Sequence, residues 1–289
     1  MGTEAPRWSP AAPARYAVIG QPVRHSLSPR IHRAFAEATG QVIRYGYLEA
    51  PRDGFAETVD AFLAGGGCGL NVTLPFKEEA AEHADALTTR AAEACAVNTL
   101  SVEHGRLVGD NTDGAGLVND LTGNLGLDLA GKDIVIVGAG GAVRGILGPL
   151  AYTGAARIHV VNRTAERAQT LVAAARQRLG RVPGSLPELT AGGLDARQAP
   201  ADLVINATAA GHDGGLPALP TAPFHAHTCV YDLSYGRAAR GFLDWAATLG
   251  VARTIDGLGM LVEQAALSFE RWRGVRPPTE PILTALRDA

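Results

Sequence analysis

Apolar residues in this chain come in short β-branched runs separated by longer amphipathic stretches. From Arg15 the order is YAVIG, a helical pattern after Ser28, RYGYLE, a helical pattern over 53–63, and GLNVTLP. Strand-length runs alternating with helix-length patterns predict an open α/β sheet. A second and cleaner series starts at Lys132: DIVIVG, a glycine-rich turn, a helix through Leu150, RIHVV, a helix over 165–179, and DLVINAT. It predicts a separate α/β unit. Between the two series, 126–131 (GLDLAG) reads as a connection. Residues 181–200 carry Pro183, Gly184, Pro187, Gly192, Gly193 and Pro200 and read as an irregular excursion. After Asp256, Leu261, Ala265, Phe269 and Trp272 recur at helical spacing, on a final helix that the pattern does not assign to either unit. No fixed-period repeat is present.

Composition narrows the function classes. At 289 residues and 46% hydrophobic, the chain exceeds the roughly 100 to 200 residues of one domain, so two domains with a cleft between them are expected. A formal charge of −3 gives no attraction to nucleic acid or to an anionic membrane, leaving small molecules as the expected partners. Cys68, Cys95 and Cys229 lie far apart, in odd number and without CxxC spacing, which argues against a disulfide framework and against structural zinc. Reduced thiols and a cytoplasmic location are expected, with no metal. Residues 1–14 hold Glu4 and three prolines and lack the apolar segment of a signal peptide, so they read as a flexible tail. No run approaches the ~18 apolar residues of a membrane span.

Candidate chemistry begins with NVTLPFK, residues 71–77. Asn71 and Thr73 alternate with apolar residues at the end of a strand, where an unpaired buried polar group costs about 1 to 3 kcal/mol. A ligand could supply the missing partners. Lys77, just past Pro75, can reach over a cleft as proton donor or acceptor; the alternative is a solvated lysine heading Glu78 and Glu79 on a helix. In HSLSPRIH, Ser28 before Pro29 predicts a helix cap, and Ser26 is a surplus hydroxyl suited, with the helix start, to a carboxylate. His25 and His32 read as structural or surface groups, since no third ligand has metal-binding spacing. Asn98 lies in AVNTL. Asp113, among glycines in GDNTDGAG, either orients a lysine amine or forms an Asx turn. Gln264 falls on the core side of the final helix, and its neighbour Glu263 on the solvent side.

The turn after DIVIV, with Gly138, Ala139, Gly140, Gly141 and Ala142, opens a helix as a pyrophosphate site requires; Val143 takes the place of the third glycine of GxGxxG. The next strand ends in Asn162, Arg163 and Thr164, with Arg167 a turn later, where an NAD-specific fold places a carboxylate. Guanidinium groups there suit a 2′-phosphate, so NADP is preferred over NAD. The alternative is a solvated helix start, although cations at that end oppose the dipole.

HSLSPRIH, NVTLPFKEEA, AVNTL, GDNTDGAGL, GAGGAVRG, NRTAER, DLVINAT, YDLSYG and DGLGMLVEQAA, in this order, resemble the shikimate dehydrogenase family over nearly the whole chain after Arg15. The resemblance implies two α/β domains: a substrate domain with an open mixed sheet over 15–113, completed by helices of 258–289, and a Rossmann-like NADP domain over 114–257. It implies Lys77 and Asp113 as the catalytic pair, and Ser26, Ser28, Asn71, Thr73, Asn98, Tyr235 and Gln264 around the substrate. Residues 138–142, Asn162, Arg163, Thr164, Arg167, Thr208, Leu233 and Gly257 would line the cofactor. The implied activity is reversible, NADPH-dependent reduction of 3-dehydroshikimate to shikimate in aromatic amino-acid biosynthesis, by a monomer or homodimer. Two alternatives stay open: a quinate/shikimate dehydrogenase using NAD or both cofactors, and a non-catalytic NADP-binding regulator. The sequence departs from the family at Ala209, where many members have Ser, at Thr89, acidic in some members, and in the added residues 1–14.

Overall fold

A computed structural model describes residues 13–179, 186–196, 199–208 and 219–288. The tail through residue 12 and Ala209 lie outside these residues.

The first apolar series builds a mixed sheet of six strands in the order β2-β1-β3-β5-β6-β4. Its strands are β1 (Ala14–Gly20), β2 (Ile43–Glu49), β3 (Gly67–Val72), β4 (Ala86–Leu87), β5 (Thr99–Glu103) and β6 (Arg106–Asp110). β1 runs parallel to β2 and β3, whereas β5 is antiparallel to both β3 and β6. Four helices, α1 (Ser28–Thr39), α2 (Phe55–Ala64), α3 (Lys77–His83) and α4 (Thr89–Ala94), accompany it. Ile19, Phe55, Leu70, Phe76 and Leu100 form the core between the sheet and α2 and α3.

Helix α5 (Asp113–Asn119), continued by a π turn at Asp120–Asn124, leads to the second sheet. Its strands β7 (Asp133–Val137), β8 (Arg157–Val161), β9 (Glu188–Gly192), β10 (Leu203–Asn206), β11 (Cys229–Asp232) and β12 (Arg253–Ile255) are all parallel, in the order β12-β11-β10-β7-β8-β9. Helices α6 (Gly141–Ala151), α7 (Ala165–Leu179) and α8 (Arg237–Thr248) complete it. The run DIVIV is continuously apolar because both faces of β7 are covered. Ile134 and Ile136 enter one core with Leu121 and Val143, and Val135 and Val137 enter another with Phe224 and Phe242. Order reverses between β7 and β10, the switch point where doubly wound sheets bind ligands.

The final helical stripe, α9 (Leu258–Arg273), returns to the first sheet, followed by α10 (Glu280–Arg287). Phe269 packs on Phe35 of α1, the Trp272 ring stacks 4.6 Å from Tyr16, and its indole N–H donates to Leu100 O at 3.1 Å. Large aromatic burial on one side of the helix therefore decides which unit it joins. Among the described residues no helix is long and apolar enough to cross a membrane.

Three expectations are corrected. Residues 181–200 are not wholly irregular, since β9 adds an edge strand there; its run ELTAG needs only Leu189 in the core, too little for a periodic signal. Ser28 does not cap α1: it lies within the first turn, and its N–H donates to Ser26 Oγ at 3.2 Å, so the surplus hydroxyl orders the helix start. Glu263 does not face solvent. It is 5% exposed, paired with Arg276 at 2.6 Å and close to Asn124, because the π turn and the chain after α9 cover that side of the helix.

His32 is fully buried, stacked 4.2 Å from the Tyr45 ring and flanked by Phe35, Phe269 and Trp272. No hydrogen bond of normal geometry reaches either ring nitrogen among the described residues, and burial, only partly offset by the neighbouring Asn71 side chain, pushes its pKa from 6.5 down to about 3. Above 6.5 the imidazole is neutral in the folded and unfolded chains alike. Between 6.5 and about 3 the unfolded chain takes up a proton that the folded chain refuses, so stability falls as pH falls through that window. The unfolding free energy in urea should accordingly drop more steeply from pH ~7 to ~5 in the wild type than in His32→Phe; parallel pH profiles would exclude His32 as the source.

Candidate active site at the strand ends

Lys77 is fixed before its side chain is considered. The preceding Phe76 is buried and stacks 5.1 Å from Phe55, its N–H donates to Thr73 O at 3.1 Å, and Lys77 O accepts from Val97 N at 2.8 Å. The amine then reaches Asp113, with Nζ 2.6 Å from Oδ2 and the two side chains only 19% and 10% exposed. A solvated lysine is thereby excluded. Asp113 opens α5, and the segment before it is anchored by Asp110, which accepts from Arg90, from Thr88 at 2.6 Å and from Asn111 N at 2.8 Å. Burial raises the Asp110 carboxyl, yet the hydrogen bonds of Arg90 and Thr88 and the charges of Arg90 and Arg271 bring it below its usual value.

Asn98 joins these pieces. Its Nδ2 has three acceptors in reach, Asp113 Oδ1 at 2.8 Å, Thr112 Oγ1 at 2.9 Å and Gln264 Oε1 at 3.3 Å. Two amide protons cannot serve all three fully, and the Gln264 oxygen, whose contacts with Asn98 Nδ2 and with Thr112 Oγ1 at 3.5 Å are the longest, keeps the most capacity for a further donor. Asn98 Oδ1 accepts from Thr112 N and from Thr99 Oγ1, each at 2.9 Å. Asp113 has one oxygen on Asn98 and the other on Lys77, which leaves the carboxylate paired on both sides.

Asn71 shows where sequence logic stops short. The protein itself supplies the partners of its amide: Oδ1 accepts from Tyr45 OH at 2.7 Å, and Nδ2 faces Ser268 Oγ at 3.0 Å with Asn98 O and Thr99 Oγ1 at 3.2 Å. Sequence reasoning missed Tyr45 and Ser268. Ser268 lies four residues beyond Gln264, on the same face of α9, and that spacing was the available signal. Thr73 is half-buried just beyond the end of β3, with its N–H on Ile19 O at 2.9 Å. Ser26 Oγ donates to Ser28 Oγ at 3.0 Å, and Tyr47 OH donates to Ser26 O at 3.1 Å. Tyr235 is half-buried against the cluster of α1 and α9 that includes Leu27, and burial raises its phenol.

Across the cleft, Gly138 has φ +117°, a conformation that disfavours any side chain, and a Cβ there would sit 3.1 Å from Ala207 O. Gly140 and Gly141 by contrast face open space, so backbone N–H groups at the start of α6 are accessible to a phosphate. Val143, in the third motif position, is fully buried on the sheet. Arg163, Thr164 and Arg167 are exposed, and Asn162 Nδ2 bonds Thr164 O at 2.9 Å, holding that loop. Thr208 Oγ1 donates to Asn206 Oδ1 at 2.8 Å, while Leu233 N bonds Asn206 O at 2.9 Å and Gly257 N bonds Ser234 O at 2.8 Å. These groups line the carboxyl ends of β7, β8, β10 and β11. A cavity of about 700 Å³ opens between α4, α6 and α7, with Gly140 and Gly141 at one end and Glu78 and Arg144 in its wall. It is offset from Lys77 and Asp113, neither of which lines it.

A parallel sheet of this order with an open glycine turn, set beside a mixed sheet that carries a buried Lys–Asp pair, defines a two-sheet α/β protein of the dinucleotide-binding class. Family models place it further. Residues 18–100 match the shikimate dehydrogenase substrate binding domain, 120–213 the shikimate / quinate 5-dehydrogenase and 257–287 the shikimate 5′-dehydrogenase C-terminal domain. A shikimate dehydrogenase (NADP(+)) of Thioalkalivibrio sulfidiphilus is 53% identical over 277 residues, covering 94% of this chain and 98% of the relative. Among solved structures, an Ael1 enzyme from Pseudomonas putida is 41% identical, with TM-score 0.86 and coverage of 94% and 98%. Shikimate 5-dehydrogenase from Thermus thermophilus, in complex with NADP(H) and shikimate, is 32% identical, with TM-score 0.79 and coverage of 95% and 99%. The chain belongs to the shikimate dehydrogenase (NADP(+)) family.

Because Asn98 serves several buried partners at once, Asn98→Ala should destabilise the chain by roughly 1 to 3 kcal/mol in urea unfolding, the cost of leaving buried polar groups unpaired. A loss below about 0.5 kcal/mol, ordinary for a surface position, would show that water takes over its bonds.

Proposed function

We propose that this chain catalyses the reversible NADP-dependent interconversion of shikimate and 3-dehydroshikimate. The observation that carries the reading is the Lys77–Asp113 contact of 2.6 Å at the strand ends, beside a second sheet whose glycine turn lies open. Bound at that turn, the nicotinamide nucleotide supplies the hydride acceptor or donor. Lys77 holds the proton at the reacting oxygen: as an ammonium it hydrogen-bonds the carbonyl, offsets the charge that develops as the alkoxide forms, and hands over its proton. Asp113 orients the amine and bonds the neighbouring hydroxyl. Ser26 and Ser28 take the substrate carboxylate, while Thr73, Asn98, Tyr235 and Gln264 line the ring, with the spare capacity of the Gln264 oxygen facing a substrate hydroxyl. Asn71, already saturated by protein groups, holds the wall of the site.

On the cofactor side, residues 138–142 cradle the pyrophosphate, and Asn162, Arg163, Thr164 and Arg167 receive the 2′-phosphate. Thr208, Leu233 and Gly257 border the nicotinamide end. Residues 15–113 with 258–289 act as the substrate unit and 114–257 as the cofactor unit. Free thiols at Cys68, Cys95 and Cys229 suit a cytoplasmic protein.

Initial rates with shikimate and quinate, each with NADP and NAD, test the assignment: the pair shikimate and NADP should be fastest, and preference for quinate with NAD would transfer the chain to quinate metabolism. Lys77→Ala should lower kcat by orders of magnitude with KM for shikimate nearly unchanged, whereas wild-type turnover removes Lys77 from the mechanism. Arg163→Ala should raise KM for NADP roughly tenfold, the scale of one charge-assisted bond, and leave NAD unaffected; an equal loss with NAD would show that Arg163 does not read the 2′-phosphate.

A further inference from the structure

The ion pair between Arg144 and Glu78 joins the two sheets beside the reacting groups. Glu78 follows Lys77 in the first turn of α3, and Arg144 lies in the first turn of α6, just after the glycine turn. Arg144 Nη1 is 2.7 Å from Glu78 Oε1. One residue further along α6, a Cβ on Gly145 would come 3.1 Å from Asn111 Oδ1 and 3.5 Å from Asp113 Cβ, and a Cβ on Gly114 would run into Gly145 O. Helix α6 thus touches Asp113 through bare backbone and Glu78 through a long side chain.

These contacts differ in kind. The glycine contact is a close approach of two backbones that cannot lengthen without losing its packing, and so serves as a fixed pivot. At the far end of α6, Tyr152 OH donates to Glu93 at 2.8 Å, and from α7 Arg178 donates to Glu93 O at 3.1 Å, tying that region to α4. What remains adjustable is the amino end of α6, where the cofactor phosphates sit in the proposed function. There the Arg144–Glu78 pair, with side chains 37% and 58% exposed, is the contact that can open and close.

We propose that Arg144 is a positioning residue for hydride transfer: by clasping Glu78 it sets the distance between the glycine turn of the second sheet and Lys77 of the first. The inference rests on the proposed function. An exposed pair contributes little to global stability. Its effect is expressed in geometry, where a displacement on the order of 1 Å at the reacting atoms is felt in the rate.

The test is a double-mutant cycle on the full chain, with Arg144→Gln, Glu78→Gln and the double variant, plus Arg144→Lys as the conservative change. Kinetic constants for shikimate and NADP and thermal midpoints are measured for each. Each single glutamine variant should lower kcat/KM for NADP roughly two- to fivefold, the range an exposed pair can supply. The double variant should be no worse than either single, Arg144→Lys should keep most of the activity, and the midpoints should stay at the wild-type value. Wild-type constants in the single variants, additive losses in the double, or losses that follow the thermal midpoint would each overturn the clasp while leaving the proposed function standing. A wild-type chain inert toward shikimate and NADP would overturn both.

Discussion

One buried carboxamide sets the geometry on which the site depends. Asn98, 3% exposed, lies where the ends of β3, β5 and β6 meet α5 and α9, and its donors and acceptors reach Thr99, Thr112, Asp113 and Gln264. A buried amide left unpaired costs about as much as a typical point mutation removes, so the chain folds with these groups in register. Once they are, Asp113 has one oxygen occupied and one orientation left, facing Lys77. The catalytic pair of the proposed function follows from satisfying hydrogen bonds that have nothing to do with a substrate.

The second sheet works by the opposite device. Where the first sheet positions side chains through side-chain bonds, the second presents backbone: a turn at positive φ, two glycines facing open space and a helix start behind them. Phosphate recognition needs donors without bulk, and glycine supplies them. In the proposed function, specificity for the extra phosphate falls to side chains at the end of β8, which stand exposed at the helix start. The two sheets meet where a bare stretch of α6 lies against α5, so the pivot between them is set by helix packing and not by the long loops.

Much of the fold was legible because both sheets announce themselves by strand-length apolar runs, and the runs of the second are continuous since both faces are covered. The strands β4, β5, β6, β9, β11 and β12 and the helix α8 escaped sequence reasoning, and the cause is visible in β9: an edge strand with one fully buried apolar side chain leaves little period to detect. The site was legible as residue types in order, with Lys77, Asp113, Asn98 and Gln264 forming one connected set. Ser268, Tyr45 and Arg144 were missed because serine, tyrosine and arginine on amphipathic elements carry no local mark. Ser268 and Tyr45 lie 197 and 26 positions from their partner Asn71, and Arg144 pairs with a residue beside the other sheet.

By itself the sequence determined two α/β units and the central strands of each sheet, the glycine turn, the basic end of β8 and the polar residues at the strand ends, since each depends on neighbours a few positions away through period, turn chemistry or charge. The family resemblance implied that α9 completes the first unit, but only the tertiary structure supplied the physical reason, Trp272 stacking on Tyr16. It also decided that Glu263 is buried, that His32 sits neutral among aromatic rings, and that protein groups, not a ligand, satisfy Asn71. Burial and hydrogen-bond partnership are properties of what lies across from a residue, and a single chain read in order does not contain them.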